Sequence, residues 1–297
     1  MSPASATVDR ATAAQPDAFE VLFDPIGQAD GAMRGGGMPN VLQRRYGRPL
    51  LVPLHTDRPT VIANFVSTLD GIVALGQGQL SGGGLISGFH EPDRFVMGLL
   101  RALADVIVVG AGTLRGSSGH GWTAERVHPE SASAFAAWRA EMGLAQHPTT
   151  VVVTGSGDIP VEHRALNDPS IPVVIATTPH GAERLERAGL AQHVSVERTH
   201  AAGPLTADAL IGLGQSRGAR LILTEGGPHV LGEFVRGGLL DELFLTLSPQ
   251  LVGRDAGGRL GLVEGLALSP SSTRWQELVS VRRSAEHLFL RYRDKES

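Results

Sequence analysis

Short apolar runs alternate along the chain with longer stretches in which apolar residues recur every three or four positions. The short runs are typical of buried strands, whereas the longer spacing is typical of amphipathic helices. The patterns predict strands at residues 61–66, 106–109, 151–154, 173–177, 221–224, 243–247, 276–281 and 287–293. They predict helices at residues 91–103, 131–142, 180–188, 206–215 and 230–236, with Thr206 as a helix cap.

The alternation of strands and helices predicts an α/β fold with a mostly parallel central sheet flanked by helices. Strands that are apolar throughout are typical of a parallel sheet with both faces covered. The last three predicted strands have no helices between them, which favours antiparallel C-terminal strands, with residues 243–247 at the sheet edge and residues 276–293 in a hairpin. In open sheets of this kind, ligands bind beyond the carboxyl ends of the strands.

The N-terminal part of the chain is less regular than the rest. Residues 1–18 are small and polar without an apolar core, so we expect a disordered tail rather than a signal peptide, and a cytoplasmic protein. Residues 19–57 are interpreted as an N-terminal extension, in which Asn40 caps a short helix that ends at Tyr46. Regular alternation begins at Thr60, and we place the main domain at residues 58–297.

Composition narrows the chemistry that the chain can perform. Cysteine is absent and Lys295 is the only lysine, which excludes a thiol nucleophile, a Schiff-base lysine and a Walker-type phosphate loop. The 11 histidines show no spacing typical of metal ligands, so we predict no metal site. The net charge of −4 argues against a broad nucleic-acid-binding face, and no apolar run has the length of a membrane span. A bound phosphate must therefore be held by arginine, by hydroxyls or by backbone N–H groups.

Three predicted strands lead into residues that can bind a ligand. They are residues 64–71 (NFVSTLDG), residues 108–115 (VVGAGTLR) and residues 224–228 (TEGGP). Taken alone, each has a structural explanation: an Asp-Gly turn, a tight Gly-x-Gly turn and an acidic helix cap. Taken together, three such ends in one parallel sheet converge on one side. This favours a ligand site, with phosphate at the start of the last helix.

Other polar groups are interpreted as structural. No serine lies in a Gly-x-Ser-x-Gly elbow. The arginines at positions 282, 283, 291 and 293 fit a solvated strand edge. Asp241 and Glu242 precede a strand, where such a pair is more typical of a turn or an interface than of a catalytic dyad.

Five motifs then follow one another along the chain: STLDG (67–71), LLRALADVIVVGAGTLR (99–115), TEGGP (224–228), GLLDEL (238–243) and SPQLVG (248–253). Their order resembles the pyrimidine reductases of riboflavin biosynthesis. These form the reductase half of a bifunctional deaminase-reductase and have a dihydrofolate-reductase-like fold. The last predicted strand is also similar, and the resemblance covers roughly residues 58–293. Residues 58–297 are accordingly interpreted as a reductase domain.

The resemblance implies an oxidoreductase that uses NADPH to reduce 5-amino-6-(5-phosphoribosylamino)uracil, with hydride transfer to C1′ of the opened sugar. Such chemistry depends mostly on aligning two bound ligands, and no conspicuous general acid stands out, so no catalytic residue is assigned. A deaminase half of the family type needs cysteine ligands for zinc, so this cysteine-free chain is expected to be a reductase only. The family also implies a homodimer, with the late antiparallel strands as the interface.

The resemblance implies two sets of site residues. The expected cofactor ligands are Val66, Ser67, Thr68, Thr113, Gly227, Pro228, His229, Val230, Leu231, Gly232 and Glu233. The expected substrate ligands are Glu225, which should accept from pyrimidine N–H groups, together with Ser81 and Arg101. Arg115 is added as a phosphate partner on chemical grounds.

Two segments depart from the pattern of the family. Residues 115–122 (RGSSGHGW) replace an acid, a proline and a substrate-binding arginine, and residues 76–84 (GQGQLSGGG) lack a tryptophan often found near there. Two alternatives therefore stay open. The same fold can reduce dihydrofolate or another pterin-like or pyrimidine-like compound, or the chain can be a nucleotide-binding paralogue without catalysis.

Overall fold

The computed structural model describes residues 18–25, 31–76, 78–117, 119, 121–199, 205–254 and 258–295, so the predicted tail lies outside the described residues except for residue 18. The strands are β1 (Glu20–Phe23), β2 (Met33–Arg34), β3 (Val52–Pro53), β4 (Thr60–Ser67), β5 (Ile72–Ala74), β6 (Val106–Gly110), β7 (Thr149–Thr154), β8 (Val173–Thr177), β9 (Val194–Arg198), β10 (Leu221–Thr224), β11 (Glu242–Leu247), β12 (Leu260–Gly261), β13 (Gln276–Ser284) and β14 (His287–Asp294). The helices are α1 (Asn40–Tyr46), α2 (Gly83–Ser87), α3 (Glu91–Leu103), α4 (Ala111–Gly116), α5 (Ala124–Val127), α6 (Ala132–Glu141), α7 (Pro179–Ala188), α8 (Ala207–Gln215) and α9 (Gly227–Gly237).

Within the described residues, ten strands join in one sheet in the order β1-β13-β14-β11-β4-β10-β6-β7-β8-β9. The seven strands from β11 to β9 are parallel to one another. The other three continue the sheet in antiparallel fashion beyond β11. This confirms the predicted α/β fold, with its mostly parallel sheet and antiparallel C-terminal strands.

The prediction that residues 243–247 lie at the sheet edge is wrong. Strand β11 is an interior strand, parallel to β4 on one side and antiparallel to β14 on the other. It follows helix α9, which crosses over one face of the sheet and returns the chain parallel to β4. A dimer interface in this region cannot use an open edge of β11. In the sheet of the described residues, the end strands are β1 and β9.

Both faces of the parallel sheet are buried, as the apolar strands predict. In β4, Ile62 joins a cluster with α3 and α6, whereas its neighbours Val61 and Ala63 join a cluster with α8 and α9 on the opposite face. The N-terminal extension packs into the first cluster through Phe19, Leu42, Tyr46, Leu50 and Val52. None of the helices in the described ranges has both the length and the apolar character needed to cross a bilayer.

Of the two helix caps predicted from the sequence, one is correct and one is wrong. Thr206 caps α8 as predicted, since its Oγ1 accepts a hydrogen bond of 3.3 Å from the Ala209 N–H. The cap predicted at Asn40 is wrong: Asn40 is the first residue of α1, Pro39 precedes it, and no side chain caps this end. Helix α9 begins at Gly227, before the predicted residue 230, because Pro228 is accommodated in its first turn.

The interpretation of the C-terminal arginines as a solvated edge is wrong for Arg282 and Arg291, which are both buried. The Arg282 side chain donates to the Tyr46 carbonyl at 2.9 Å and to Asp24 Oδ2 at 2.6 Å. Arg291 binds Glu242 and donates to the Leu51 carbonyl at 2.7 Å. The N-terminal extension therefore covers these strands: its Asp24 pairs with Arg282, and its Leu51 carbonyl accepts from Arg291.

Asp241 and Glu242 are structural acids at the start of β11. Asp241 accepts from both terminal nitrogens of Arg58, at 2.9 and 2.6 Å, and from the Val61 N–H at 2.7 Å. It also lies 2.8 Å from His55 Nε2. Glu242 pairs with Arg291 and Arg293. These bonds tie the segment before β4 and the last strand to the beginning of β11.

We predict that Asp241→Ala lowers the free energy of unfolding by about 3–5 kcal/mol, since it leaves the Arg58 guanidinium and a buried N–H group without their acceptor. Urea denaturation measures the change. Glu186→Ala is the matched control, because it breaks an exposed ion pair with Arg198 and should cost less than about 1 kcal/mol. Equal losses in the two variants would contradict the assignment of Asp241 as a structural acid.

Candidate active site

A cavity of about 930 Å³ opens at the carboxyl ends of β4, β6 and β10. Its lining from the sheet side comes from residues 64–66, 110–113 and 225–230. Helix α3 and the segment around α2 close the other side. The three strand ends selected from the sequence therefore meet in one cavity, at the position expected for a ligand site in an open parallel sheet.

Close packing between two of these strand ends explains the double glycine. A Cβ atom on Gly226 would lie 2.5 Å from the Gly110 nitrogen, so no side chain fits between the two turns. Gly227 has a φ of +63°, in the left-handed region that glycine adopts without strain. The two glycines bring the start of α9 against the end of β6. Gly112 differs from them, since nothing lies within 4 Å of a Cβ built there.

The predicted cofactor segment divides into two parts. Residues 227–230 line the cavity at the start of α9, where the first N–H groups of a helix have no partner within the helix. Leu231 is buried in the core on the other side, and a side chain on Gly232 would meet the Glu264 carbonyl. Glu233 pairs with Arg236 at 3.3 Å. Leu231, Gly232 and Glu233 therefore make contacts outside the cavity and do not line it.

Of the site residues predicted near the ends of β4 and β6, some line the cavity and others do not. Val66 and Thr113 line the cavity, as does Ser81, whose hydroxyl donates to the Gly112 carbonyl at 3.4 Å. Ser67 and Thr68 are buried and do not line it. The Thr68 hydroxyl donates to Asp70 Oδ1 at 2.6 Å and accepts from the Ile72 N–H, which fixes the turn between β4 and β5.

Two predicted substrate ligands, Glu225 and Arg101, bind each other. Arg101 Nε lies 3.0 and 3.1 Å from the two carboxylate oxygens, and its Nη2 lies 2.6 Å from Oε2. The side chains are only 8% and 6% exposed, and both line the cavity. Arg101 also donates to the Thr123 carbonyl at 3.3 Å. The pair is a charge-assisted bridge between α3 and the end of β10.

Arg115, the fourth predicted substrate ligand, does not line the cavity. Its Nη1 donates to the Asp158 carbonyl at 2.8 Å, so the side chain is held on the outer side of α4. The segment that departs from the family pattern contributes Gly116, Ser117 and Trp122 to the lining instead, while residues 118 and 120 lie outside the described residues.

Asp93 is a cavity residue that sequence reasoning missed. It is buried in the first turn of α3, and burial raises the pKa of its carboxyl to about 6, with a smaller upward contribution from the charge of Glu225. The Thr246 and Ser87 hydroxyls lower that pKa only in part. Acids in a first helical turn are common helix-stabilising residues, which hides this one. The available signal was its spacing of four and eight residues from Met97 and Arg101, the spacing of one helix face.

Further groups frame the mouth of the cavity. Phe89 lines it with a φ of +55°, an uncommon backbone conformation for an aromatic residue. Behind it, the rings of His90 and His287 stack with centroids 4.0 Å apart. Burial lowers the pKa of both histidines. Among the described residues, no group of three or more acidic or histidine side chains is placed to hold a metal ion.

The fold is that of an α/β protein with a cavity at the carboxyl ends of its parallel strands, where open sheets of this type bind ligands. The family model described as RibD C-terminal domain matches residues 59–288, and the chain belongs to that family.

Curated relatives agree with this assignment. The chain is 28% identical over 233 residues to the riboflavin biosynthesis protein RibD of Mycobacterium tuberculosis H37Rv, a match that covers 77% of this chain and 53% of that protein. The chain thus spans about half the length of that relative. It is 29% identical over 203 residues to the 2,5-diamino-6-ribosylamino-4(3H)-pyrimidinone 5′-phosphate reductase of Methanothermobacter thermautotrophicus, covering 67% of this chain and 82% of the relative.

A solved structure shows the same fold. The pyrimidine reductase-like protein of Corynebacterium diphtheriae superposes with a TM-score of 0.62 at 22% sequence identity. The match covers 80% of this chain and 92% of that protein.

We predict a pH-dependent difference in stability between the wild type and Asp93→Asn. The folded pKa of Asp93 is raised above its unfolded value of 3.8, so the wild type loses stability as the pH rises from 3.8 through about 6. The variant should therefore gain up to about 3 kcal/mol relative to the wild type between pH 4 and pH 7.5. Urea denaturation at several pH values measures this gain, with Glu183→Gln as a control for removal of an exposed charge. A difference that stays constant with pH would refute the shifted pKa.

Proposed function

We propose that the protein is an NADPH-dependent reductase of a phosphoribosylaminopyrimidine in riboflavin biosynthesis, with 5-amino-6-(5-phosphoribosylamino)uracil as the substrate. The observation that carries the proposal is the buried Glu225–Arg101 pair beside two glycine turns in one cavity. The family and the printed activity of the Methanothermobacter relative support it. The cavity volume is near the upper end of the range of about 300–1,000 Å³ for ligand pockets, which suits two ligands held side by side.

The glycine turns fit a dinucleotide. Gly112 offers open space to a backbone-bound ligand, and the N–H groups at the start of α9 can donate hydrogen bonds to a phosphate without a lysine. Thr113 adds a hydroxyl between these two turns. When bound, the nicotinamide cofactor would supply the hydride. The part of this chain is to orient the two ligands and to keep water from the reacting atoms.

The Glu225 carboxylate is the acceptor for pyrimidine N–H groups in this proposal. Hydrogen bonds from Arg101 hold the carboxylate in one orientation, so the acceptor is preorganised before the substrate binds. Asp93 has the properties of a proton donor. Because its pKa is about 6, a carboxyl oxygen of this residue holds a proton in part of the molecules near neutral pH.

A closely related pyrimidine ring is an alternative to the uracil of the proposed substrate. The Methanothermobacter relative is named for the 2,5-diamino-pyrimidinone, which keeps an amino group where the uracil has an oxygen. A second carboxyl in the cavity, Asp93, provides an acceptor for such an amino group. Because residues 115–122 depart from the family pattern, a pterin-like substrate such as dihydrofolate is a wider alternative.

We further propose a homodimer and a cytoplasmic location. The C-terminal strands do not end the sheet, since β1 covers β13, so an interface on that side would be formed by β1. Leu22 and Phe23 of β1 are exposed and apolar. The cysteine-free composition agrees with a reducing compartment. Light scattering in solution tests the dimer.

The proposed reaction is tested by mixing the full chain with NADPH and each candidate substrate: the uracil, the diaminopyrimidinone and dihydrofolate. Loss of nicotinamide absorbance with the phosphoribosyl compounds is the expected result. Glu225→Gln should raise the KM of the pyrimidine at least about tenfold and change the affinity for NADPH less than about threefold, since the lost acceptor faces the substrate. Glu197→Gln, at an exposed pair with Arg217, is the control.

Three outcomes would count against this proposal. Bound NADPH without turnover of any of these compounds would favour a nucleotide-binding paralogue. Turnover of dihydrofolate alone would move the substrate to the pterins. Equal losses of substrate and cofactor affinity in Glu225→Gln would remove Glu225 from the substrate side.

The placement of the cofactor predicts that Gly112→Leu weakens NADPH binding at least about tenfold, because the new side chain would fill space in the cavity that a backbone-bound ligand needs. The midpoint of thermal unfolding should change little, since a Cβ at this position meets no atom within 4 Å. Gly212→Leu is the matched control, another helical glycine with open space around it, far from the cavity in sequence. Fluorescence titration with NADPH measures binding. Unchanged affinity in Gly112→Leu would contradict this placement.

A further inference from the structure

Three arginines line the cavity: Arg94, Arg101 and Arg126. Arg101 is neutralised by Glu225 and Arg126 by Asp168. Within the described part of the chain, the Arg94 guanidinium has neither a hydrogen bond nor an ion pair, and the residue is only partly exposed. Arg94 is therefore the cavity arginine whose guanidinium has no bonded partner among the described residues.

Neither carboxyl group that lines the cavity, Glu225 or Asp93, forms an ion pair with Arg94 in the described residues. Glu225 is committed to Arg101. Asp93, next to Arg94 in the chain, holds a proton more readily than an ordinary aspartate because it is buried. A partly desolvated cation without a hydrogen-bonded counter-ion attracts an anion strongly, since little water competes for it.

The position of Arg94 suits the far end of a ligand whose ring lies at Glu225. Arg94 and Arg101 are seven residues apart in α3, which is two helical turns, so they share one face at a separation of about 10 Å along the axis. A pyrimidine at Glu225 that carries a sugar phosphate would extend over such a distance. A helix also holds the two groups at a more constant separation than a loop would.

The segment that departs from the family pattern, residues 115–122, supplies no arginine to the cavity. Residues 115–122 lack the acid, proline and arginine that resemblance to the family would place there. Arg115, the one arginine of this segment, donates to the Asp158 carbonyl and does not line the cavity. Another group has to receive the anionic end of a phosphorylated substrate.

We propose that Arg94 is the anion-binding residue of the cavity and takes the phosphate monoester of the sugar chain. This rests on the proposed function for the identity of the ligand. The binding of a sugar phosphate at Arg94 can be measured without any turnover, so the two proposals can fail separately. Arg94 is a specificity-determining residue here, and it selects phosphorylated over unphosphorylated substrates.

The test compares Arg94→Gln and Arg94→Lys with the wild type. For the phosphorylated pyrimidine, Arg94→Gln should raise KM about 10- to 100-fold with kcat within about threefold, because a charge-assisted contact is lost that does not change during reaction. KM for the same compound without its phosphate should change less than about twofold. Arg94→Lys should recover part of the loss, since it restores the charge but not the planar fork. Arg187→Gln, at an exposed position of helix α7, is the control for loss of a positive charge.

A second arm measures equilibrium binding of ribose 5-phosphate and of NADPH to the same variants. Ribose 5-phosphate should bind the wild type and lose at least about tenfold in affinity in Arg94→Gln, even if no pyrimidine is turned over. Three results would overturn the proposal. They are equal KM changes for the phosphorylated and unphosphorylated compounds, unchanged ribose 5-phosphate binding, and a loss confined to NADPH, which would assign Arg94 to a cofactor phosphate. Circular dichroism spectra that match the wild type confirm that the variants are folded.

Discussion

The buried pair between Arg101 and Glu225 is the interaction on which the rest of the cavity depends. It joins the third turn of α3 to the end of β10, two elements separated by 124 positions in the chain. Two desolvated charges are costly unless each is bound in good geometry, and here the guanidinium meets both carboxylate oxygens. Removal of either partner would leave an uncompensated charge in the cavity wall. The pair therefore constrains the position of α3 against the sheet, and with it every other group that α3 presents to the ligand.

The same pair sets the electrostatics of the cavity. The charge of Glu225 adds to burial in raising the pKa of Asp93. Because Arg101 is bound to Glu225, it is less available to an anionic ligand, and Arg94 remains as the cavity arginine without an ion-pair partner within the described residues. A hydrogen-bond acceptor, a protonatable acid and a cation thus lie along one helix and the strand end beside it. Their different charge states follow from how each is paired and buried.

Much of the fold follows from local patterns, and the parts that do not are long-range. The strand at residues 173–177 and the helix at residues 91–103 have the bounds that apolar spacing predicts. The burial of Arg282 was not predictable in this way, because its acceptor Tyr46 lies 236 positions away, in an extension without a regular pattern. The interior position of β11 depends likewise on the crossover by α9 rather than on the composition of the strand.

In the candidate site, too, some residues were predictable from local sequence patterns and others depend on long-range packing. Glu225 and the glycines were detectable because an acid and two glycines at a strand end are rare without a reason. Asp93 and Arg94 were hidden, because an acid and a base in the first turn of a helix are ordinary surface residues in most proteins. Their burial against the cavity follows only when the sheet places α3 across the strand ends. Ligand contacts on a packed helix can replace contacts on a loop that has diverged, since the helix is held by its apolar face and does not depend on the composition of the loop. If Arg94 has the proposed role, the divergence of residues 115–122 is compatible with phosphate binding, and α3 rather than this segment would determine which substrates are accepted.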